Sequence, residues 1–213
     1  MNFSVKEIYH TIQGEGARSG RAAIFCRFSG CNLWSGLEQH RKSAVCNFCD
    51  TDFNGVDGEN GGKFPSVGKL SSIIESLWIE SINDDDNRYV IFTGGEPALQ
   101  INEELVSSLQ AKKFEVAIET NGTVALPRNL DWITVSPKTR NSFIITKGSE
   151  LKFVFPQEKL TPDMFKSLDF KHFYIQPKFD EHYSDNLRSS IKFCLKYPKW
   201  KLSLQSHKYV GIL

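Results

Sequence analysis

Short apolar runs alternate along this chain with amphipathic stretches, and the segment following most of these runs is polar. Strands fit Arg21–Phe28, Arg88–Phe92, Phe114–Ile118, Trp132–Val135, Leu151–Phe155, Lys171–Ile175 and Trp200–Leu204. Helices fit Ser66–Ser81, with Val67, Leu70, Ile74 and Leu77 on one face, and Asn102–Lys112, with Leu105, Val106 and Leu109 inward. A third fits Ser184–Lys196, carrying Leu187, Ile191 and Leu195 at spacings of four. Thr161-Pro162 reads as another helix start, with proline at the first helical position. A glycine-rich loop covers residues 54–63. Repeated strand–helix order predicts an α/β fold, a parallel sheet covered by helices.

Parallel strands place their C-terminal ends on one side, and in barrels and open sheets that side carries the active site. The exits are Ser29-Gly30-Cys31, Thr93-Gly94-Gly95-Glu96-Pro97, Glu119-Thr120-Asn121-Gly122, Ser136-Pro137-Lys138, Gln176-Pro177 and Gln205-Ser206-His207. Ordinary polar exits explain each singly. They explain poorly the Gly-Gly-Glu-Pro and Ser-Pro-Lys exits together, so the rim reads as one composite site.

The length of 213 residues suits one domain spanning 1–213, and 40% hydrophobic with 24% charged residues is an ordinary globular mix. A net charge of +1 offers no broad field for a polyanion, which argues against nucleic acid as a direct partner. No apolar run approaches a membrane span, and MNFSVKEIYH lacks the pattern of a secretory signal. A cytoplasmic, reducing setting is the expectation, and there clustered cysteines more often bind metal than pair with each other.

Cys26, Cys31, Cys46 and Cys49 fall within one 24-residue stretch, and Cys194 stands apart on the apolar side of the last helix. Cys46 and Cys49 are close enough for one loop to aim both sulfurs at one centre. With Cys26 as fourth ligand the set would make a structural zinc site. Cys26 and Arg27 are neighbours in a strand, however, and point to opposite faces. Arg27 belongs on the wet side, so Cys26 packs behind as a small hydrophobe. Three thiolates then leave one iron of a cubane free for a cofactor. The acidic run Asp84-Asp85-Asp86 reads as a solvated loop.

The segment SGCNLWSGLEQHRKSAVCNFCDTDF resembles the cluster loop of radical S-adenosylmethionine (SAM) enzymes, and within them the 7-carboxy-7-deazaguanine synthase family. The 31-to-46 gap departs from the compact three-cysteine spacing and matches the family's expanded version. The resemblance runs nearly end to end, through TIQGEG at Thr11–Gly16, Arg27, TGGEP, ETNG, SPK, QP and WKLSLQSHKYVGIL. It implies a partial, incomplete parallel β/α barrel of the radical SAM type, with its cluster loop (29–54) after the first strand and a tail (205–213) closing the site.

The resemblance further implies a 4Fe–4S cluster on Cys31, Cys46 and Cys49, with Thr51 contacting Mg2+. SAM contacts carry over to Phe48, Asp50, Gly94, Gly95, Glu96, Glu119, Ser136, Lys138, Gln176 and Pro177. Substrate contacts carry over to Ile12, Gln13, Gly14, Glu15, Arg27, Thr93, His207 and the terminal carboxylate of Leu213. The implied reaction is a radical ring contraction of 6-carboxy-5,6,7,8-tetrahydropterin to 7-carboxy-7-deazaguanine with loss of ammonia, a carbon–nitrogen lyase step in queuosine or related deazapurine biosynthesis. The implied partners are this pterin and an electron donor such as flavodoxin or ferredoxin, with a homodimer as the assembly. The alternatives are a radical SAM activase of a partner protein and a non-enzymatic zinc module.

Overall fold

The computed structural model describes residues 2–82 and 86–212. Asp84 and Asp85 of the acidic run, and Leu213, lie outside them. The described residues form one sheet of nine strands: β1 (Phe3–Ile12), β2 (Ala22–Phe28), β3 (Gly62–Phe64), β4 (Tyr89–Gly94), β5 (Glu115–Thr120), β6 (Trp132–Val135), β7 (Lys147–Phe155), β8 (Asp169–Pro177) and β9 (Lys201–Leu202). Their spatial order is β3-β1-β2-β4-β5-β6-β7-β8-β9, an open sheet with β3 and β9 at its edges. From β2 to β9 every neighbouring pair is parallel. The strand–helix alternation of the sequence predicts this part of the sheet.

The N-terminal edge corrects that reading. β1 pairs antiparallel with both β2 and β3, so the sheet is mixed, and the cluster loop follows the second strand rather than the first. The register slips between Val5 and Glu7, which interrupts the apolar–polar alternation by which a strand is recognised. The three residues of β3 form the end of the glycine-rich loop and the residue after it.

Helices α1 (Val67–Ser81), α2 (Glu103–Gln110), α3 (Tyr183–Lys196) and the short α4 (Ser206–Val210) complete the chain. Ser66 caps α1 through Lys69 N at 3.3 Å, and Asn102 caps α2 through Leu105 N at 2.9 Å. Leu70, Ile74 and Trp78 of α1 and Leu105, Val106 and Leu109 of α2 pack on β1, β2, β4 and β5 in one core. A second core lies over β6–β8 and takes Trp200 with half-buried Phe193 and Cys194 of α3.

The predicted face of α3 is wrong. Ile191 is 40% and Leu195 80% exposed, while Asn186 and Ser190 are buried. Asn186 Nδ2 donates to Lys178 O at 3.0 Å and Asp180 Oδ1 at 2.8 Å, and Ser190 Oγ donates to Asn186 O at 2.7 Å. Polar residues with partners therefore occupy the inward positions. Thr161-Pro162 opens only a single 3-10 turn, Pro162–Met164. Among the described residues no helix is long and apolar enough to cross a membrane.

Strand alternation divides side chains between the helix-covered face and the opposite one. In β2 Cys26 is fully buried in the first core while Arg27 faces the other way. In β7 Leu151 and Phe153 enter the second core, and Lys152 and Val154 line the open face. The polar strand exits gather on that face.

Candidate active site

A cavity of about 510 Å³ opens at the C-terminal ends of the parallel strands, a volume within the usual range for small-molecule sites. Its wall includes Cys31, Thr93, Gly94, Gly95, Glu119, Asn121, Ser136, Lys138, Gln176, Pro177, Gln205 and His207. All six exits thus contribute to one site. Ile12, Gln13, Gly14, Glu15, Arg27, Cys46, Phe48, Cys49, Asp50 and Thr51 line it as well.

At one end lie the three cysteines of the loop after β2. A hydrogen bond from the Cys46 thiol lowers the Cys49 thiol to about 6, against the opposing effect of burial. The same bond and burial push Cys46 upward. Leu33 N donates to Cys31 Sγ at 3.4 Å. Cys49 is therefore poised as a thiolate, the form that binds iron. Cys26 sits in the core and burial drives its thiol well above the ordinary range. Among the described residues no three acidic, histidine or cysteine side chains converge on one ion. A cubane asks for less convergence, because each thiolate binds a different iron. Three thiols on one cavity wall, one of them backbone-supported and one acidified, fit such a group.

The loop around them is braced from within. Arg41 stacks on Trp34, with 4.1 Å from its guanidinium to the ring centroid. It also donates to the carbonyls of Asn47 at 3.1 Å and Cys49 at 3.0 Å. Asn32 Oδ1 accepts from Asn121 Nδ2 at 3.0 Å, tying the loop to the β5 exit.

The exit of β4 packs against this loop with no spare room. Gly94 has φ +133°, and a Cβ there would lie 2.2 Å from Phe28 O. A Cβ on Gly95 would lie 2.1 Å from Gly30 O and 2.9 Å from Cys31 Cβ. Only glycine permits this approach. Glu96 is not among the residues that line the cavity. Its fully buried carboxylate accepts from Ala98 N at 3.0 Å, Thr120 Oγ1 at 2.8 Å and Asn121 N at 2.8 Å. Burial raises its proton affinity, and the residue joins the β4 and β5 exits. Next to them, Lys138 Nζ donates to Ser136 Oγ at 2.8 Å and lies 5.1 Å from the Phe48 ring centroid.

The opposite end is polar and acidic. Gln13 Nε2 donates to Glu119 Oε1 at 2.9 Å, and its own Oε1 accepts from Glu15 N at 3.1 Å. Glu15 Oε1 accepts from Gln176 at 3.2 Å and Gln205 at 2.9 Å. Burial pushes Glu15 up, but the charge and hydrogen bond of Lys152, aided by Gln205, hold it at about 2. Arg27 donates to Glu7 Oε1 and Tyr9 Oη, both at 2.7 Å. Helix α4 closes over this end: Ser206 N donates to Gly14 O at 3.0 Å, and Lys208 pairs with Asp50 at 2.5 Å. Burial lowers His207 below its ordinary range, so the ring is neutral at neutral pH.

Sequence reasoning missed Lys152, Glu7 and Tyr9. Glu7 and Tyr9 belong to the strand whose register slip hides it. Lys152 is a single charge in the apolar run Leu151–Phe155, readable as one polar step of a half-buried strand.

The chain is 51% identical over 212 residues to the 7-carboxy-7-deazaguanine synthase of Caulobacter vibrioides, covering 100% of both chains. The same identity and coverage relate it to the 7-carboxy-7-deazaguanine synthase of Bordetella pertussis. The chain belongs to the 7-carboxy-7-deazaguanine synthase family. A more distant relative bearing that name, from Bacteroides thetaiotaomicron, is 35% identical over 98% of this chain and 97% of its own. The crystal structure of QueE from Escherichia coli matches with a TM-score of 0.68 at 24% identity, over 97% of this chain and 95% of that one. The likeness is one of fold, and includes the open, largely parallel sheet. No family model matches the chain.

Proposed function

We propose that this chain acts as a 7-carboxy-7-deazaguanine synthase, a radical SAM enzyme of the carbon–nitrogen lyase class serving deazapurine biosynthesis. The carrying observation is full-length identity of 51% to synthases of that name. The cavity supports it by setting three thiols at one end and a donor–acceptor cluster at the other. Neither the activase nor the zinc-module alternative accounts for that identity.

Cys31, Cys46 and Cys49 would hold the 4Fe–4S cluster. The cluster and SAM together supply an adenosyl radical, and that chemistry belongs to the cofactors rather than the protein. The protein's part is placement. Gly94 and Gly95 bring backbone close to the methionine end of SAM. Glu119 accepts from ribose hydroxyls, and Ser136, Lys138, Gln176 and Pro177 border the adenosyl part with Phe48 and Asp50. Glu15, kept ionised, accepts from the guanidine-like edge of 6-carboxy-5,6,7,8-tetrahydropterin, while Gln13 offers a donor and an acceptor. Arg27 is oriented by Glu7 and Tyr9 to meet the substrate carboxylate with its planar fork. Ile12, Gly14, Thr93 and neutral His207 shape the remaining wall. Thr51 lies between Asp50 and Asp52, whose charges are engaged by Lys208 and Lys6. Its hydroxyl with a substrate carboxylate suits Mg2+, which takes few protein ligands. Flavodoxin or ferredoxin would supply electrons, and a homodimer is the proposed assembly.

The test is anaerobic cluster reconstitution followed by incubation with SAM, a one-electron reductant, Mg2+ and the pterin. Formation of 7-carboxy-7-deazaguanine with release of ammonia is expected. Cleavage of SAM without that product would refute the substrate assignment.

A further inference from the structure

The cavity floor carries a cation that neither the substrate side nor the cofactor side, as described, accounts for. Lys152 is 2% exposed. Its ammonium donates to Glu15 and, at 3.0 Å, to Glu119. Those two carboxylates come from distant parts of the chain, the loop after β1 and the exit of β5. Stability alone is a poor reason for such a group, since apolar residues packed in its place serve a core at least as well.

The remaining bonds fix each carboxylate from its far side. Glu119 is held by Gln13, and Glu15 by Gln176 and Gln205. An ionised carboxylate has about four acceptor positions, so both retain capacity for a ligand after these bonds are made. Burial opposes the charge of Lys152, but Glu119, Glu15 and Glu150 around it keep it protonated.

We propose that Lys152 is a positioning residue that couples the two halves of the site. It sets the spacing between the pterin-binding Glu15 and the ribose-binding Glu119 and holds Glu15 as a pure acceptor. This inference rests on the proposed function, because it assigns the two carboxylates to pterin and SAM.

The consequence is a pH signature. The charged and titratable groups around Glu15 are Lys152 and Glu150 from β7, Glu119 from β5 and His207 from α4, with Lys208 and Asp50 acting on His207. Burial is already the largest single influence on Glu15, and without Lys152 it is opposed mainly by Gln205 and His207, which favours the protonated form. A protonated Glu15 loses acceptor capacity for the pterin N–H groups. Pterin binding therefore weakens as pH falls.

The experiment uses cluster-loaded, unreduced protein with titration calorimetry of SAM, and of the pterin in the presence of SAM. The dissociation constants of Lys152→Met are divided by those of the wild type at each pH, which cancels the pterin's own titration. The pterin ratio is expected to grow as pH is lowered from about 8 to about 6, by up to about tenfold for each pH unit below the point at which Glu15 takes up its proton in the variant. The affinity for SAM is expected to fall too. Lys152→Arg keeps the charge, and its ratio stays flat with pH. If Lys152→Met does not fold, Lys152→Met with Glu119→Gln removes one charge of each sign and carries the same pterin test. A pterin ratio independent of pH in the methionine variant, or SAM affinity equal to the wild type in Lys152→Met alone, overturns the proposal. Failure of the wild-type protein to bind the pterin defeats the functional reading instead, before any variant is made.

Discussion

Replacing Gly95 by alanine tests the junction between the β4 exit and the cluster loop. The new methyl would stand 2.1 Å from Gly30 O and 2.5 Å from Gly30 C, where ordinary contact begins at 3.4 Å. The two must part by more than an ångström, and the obstacle is backbone rather than a flexible side-chain end. That backbone is held by Gly95 N to Phe28 O at 3.2 Å and Glu96 N to Gly30 O at 2.9 Å. Relief therefore has to come from moving the loop, and Cys31 adjoins Gly30. Overpacking of this kind costs about 1–3 kcal/mol. At roughly 2–4 °C per kcal/mol for a chain of this size, Tm should fall by about 2–12 °C. The separate effect on Cys31 should appear as iron and sulfide contents below those of the wild type after identical anaerobic reconstitution. Thermal unfolding of the apoprotein and metal analysis of the reconstituted protein read the two effects independently. Wild-type Tm with full iron loading would show that the junction yields freely and that the close approach has no function.

Other substitutions probe the rest of the site. Cys26→Ala should keep iron–sulfur absorbance and lose only about 1 kcal/mol on urea unfolding, whereas alanine at Cys31, Cys46 or Cys49 should abolish that absorbance; zinc release from Cys26→Ala alone would contradict this. Glu96→Gln turns an NH2 toward backbone or hydroxyl donors and should cost about 1–3 kcal/mol on urea unfolding, with wild-type stability counting against its bracing role. Glu15, held at about 2 against an ordinary 4.5, contributes stability in full above about pH 4.5 and loses it as pH falls toward 2. Glu15→Gln should therefore flatten the acid limb of a stability–pH curve, and an identical limb would refute the assignment. Thr51→Ala should raise the Mg2+ concentration needed for half-maximal turnover while leaving cluster content unchanged; an unaltered metal titration would remove Thr51 from the ion.

The parallel half of the fold is legible in the sequence because its strands are apolar and buried on both sides of the sheet's middle. Trp132–Val135 is found with its predicted bounds, and the exits meet at one cavity as strand polarity requires. The antiparallel edge was not legible: Lys6 and Glu7 fall at a register slip in β1, and three residues of β3 hold too little pattern to read. On α3 the spacing of Leu187, Ile191 and Leu195 points to one face, while hydrogen bonding sends Asn186 and Ser190 inward. In the site, glycine, cysteine and carboxylate residues stood out by type. Glu96, an acidic residue beside two glycines, reads from sequence either as a ligand contact or as a brace for its loop, and its three backbone and hydroxyl donors become visible only when the fold sets β5 beside it. Lys152 left only the weak signal of one charge in an apolar run, since its significance comes from carboxylates far away in the chain.

The contact between Ser206 and Gly14 also has a kinetic meaning. It closes a loop of 192 residues, and Lys208 to Asp50 closes one of 158. Pairings of such long range form late, after the entropy of loop closure has been overcome by the sheet between them. During synthesis the β1 turn and the cysteine loop emerge early and wait for residues 206–208. Until these arrive, one wall of the cavity is missing and the thiols stand open to solvent. Completion of the last helix therefore sets the moment at which the site becomes an enclosed compartment.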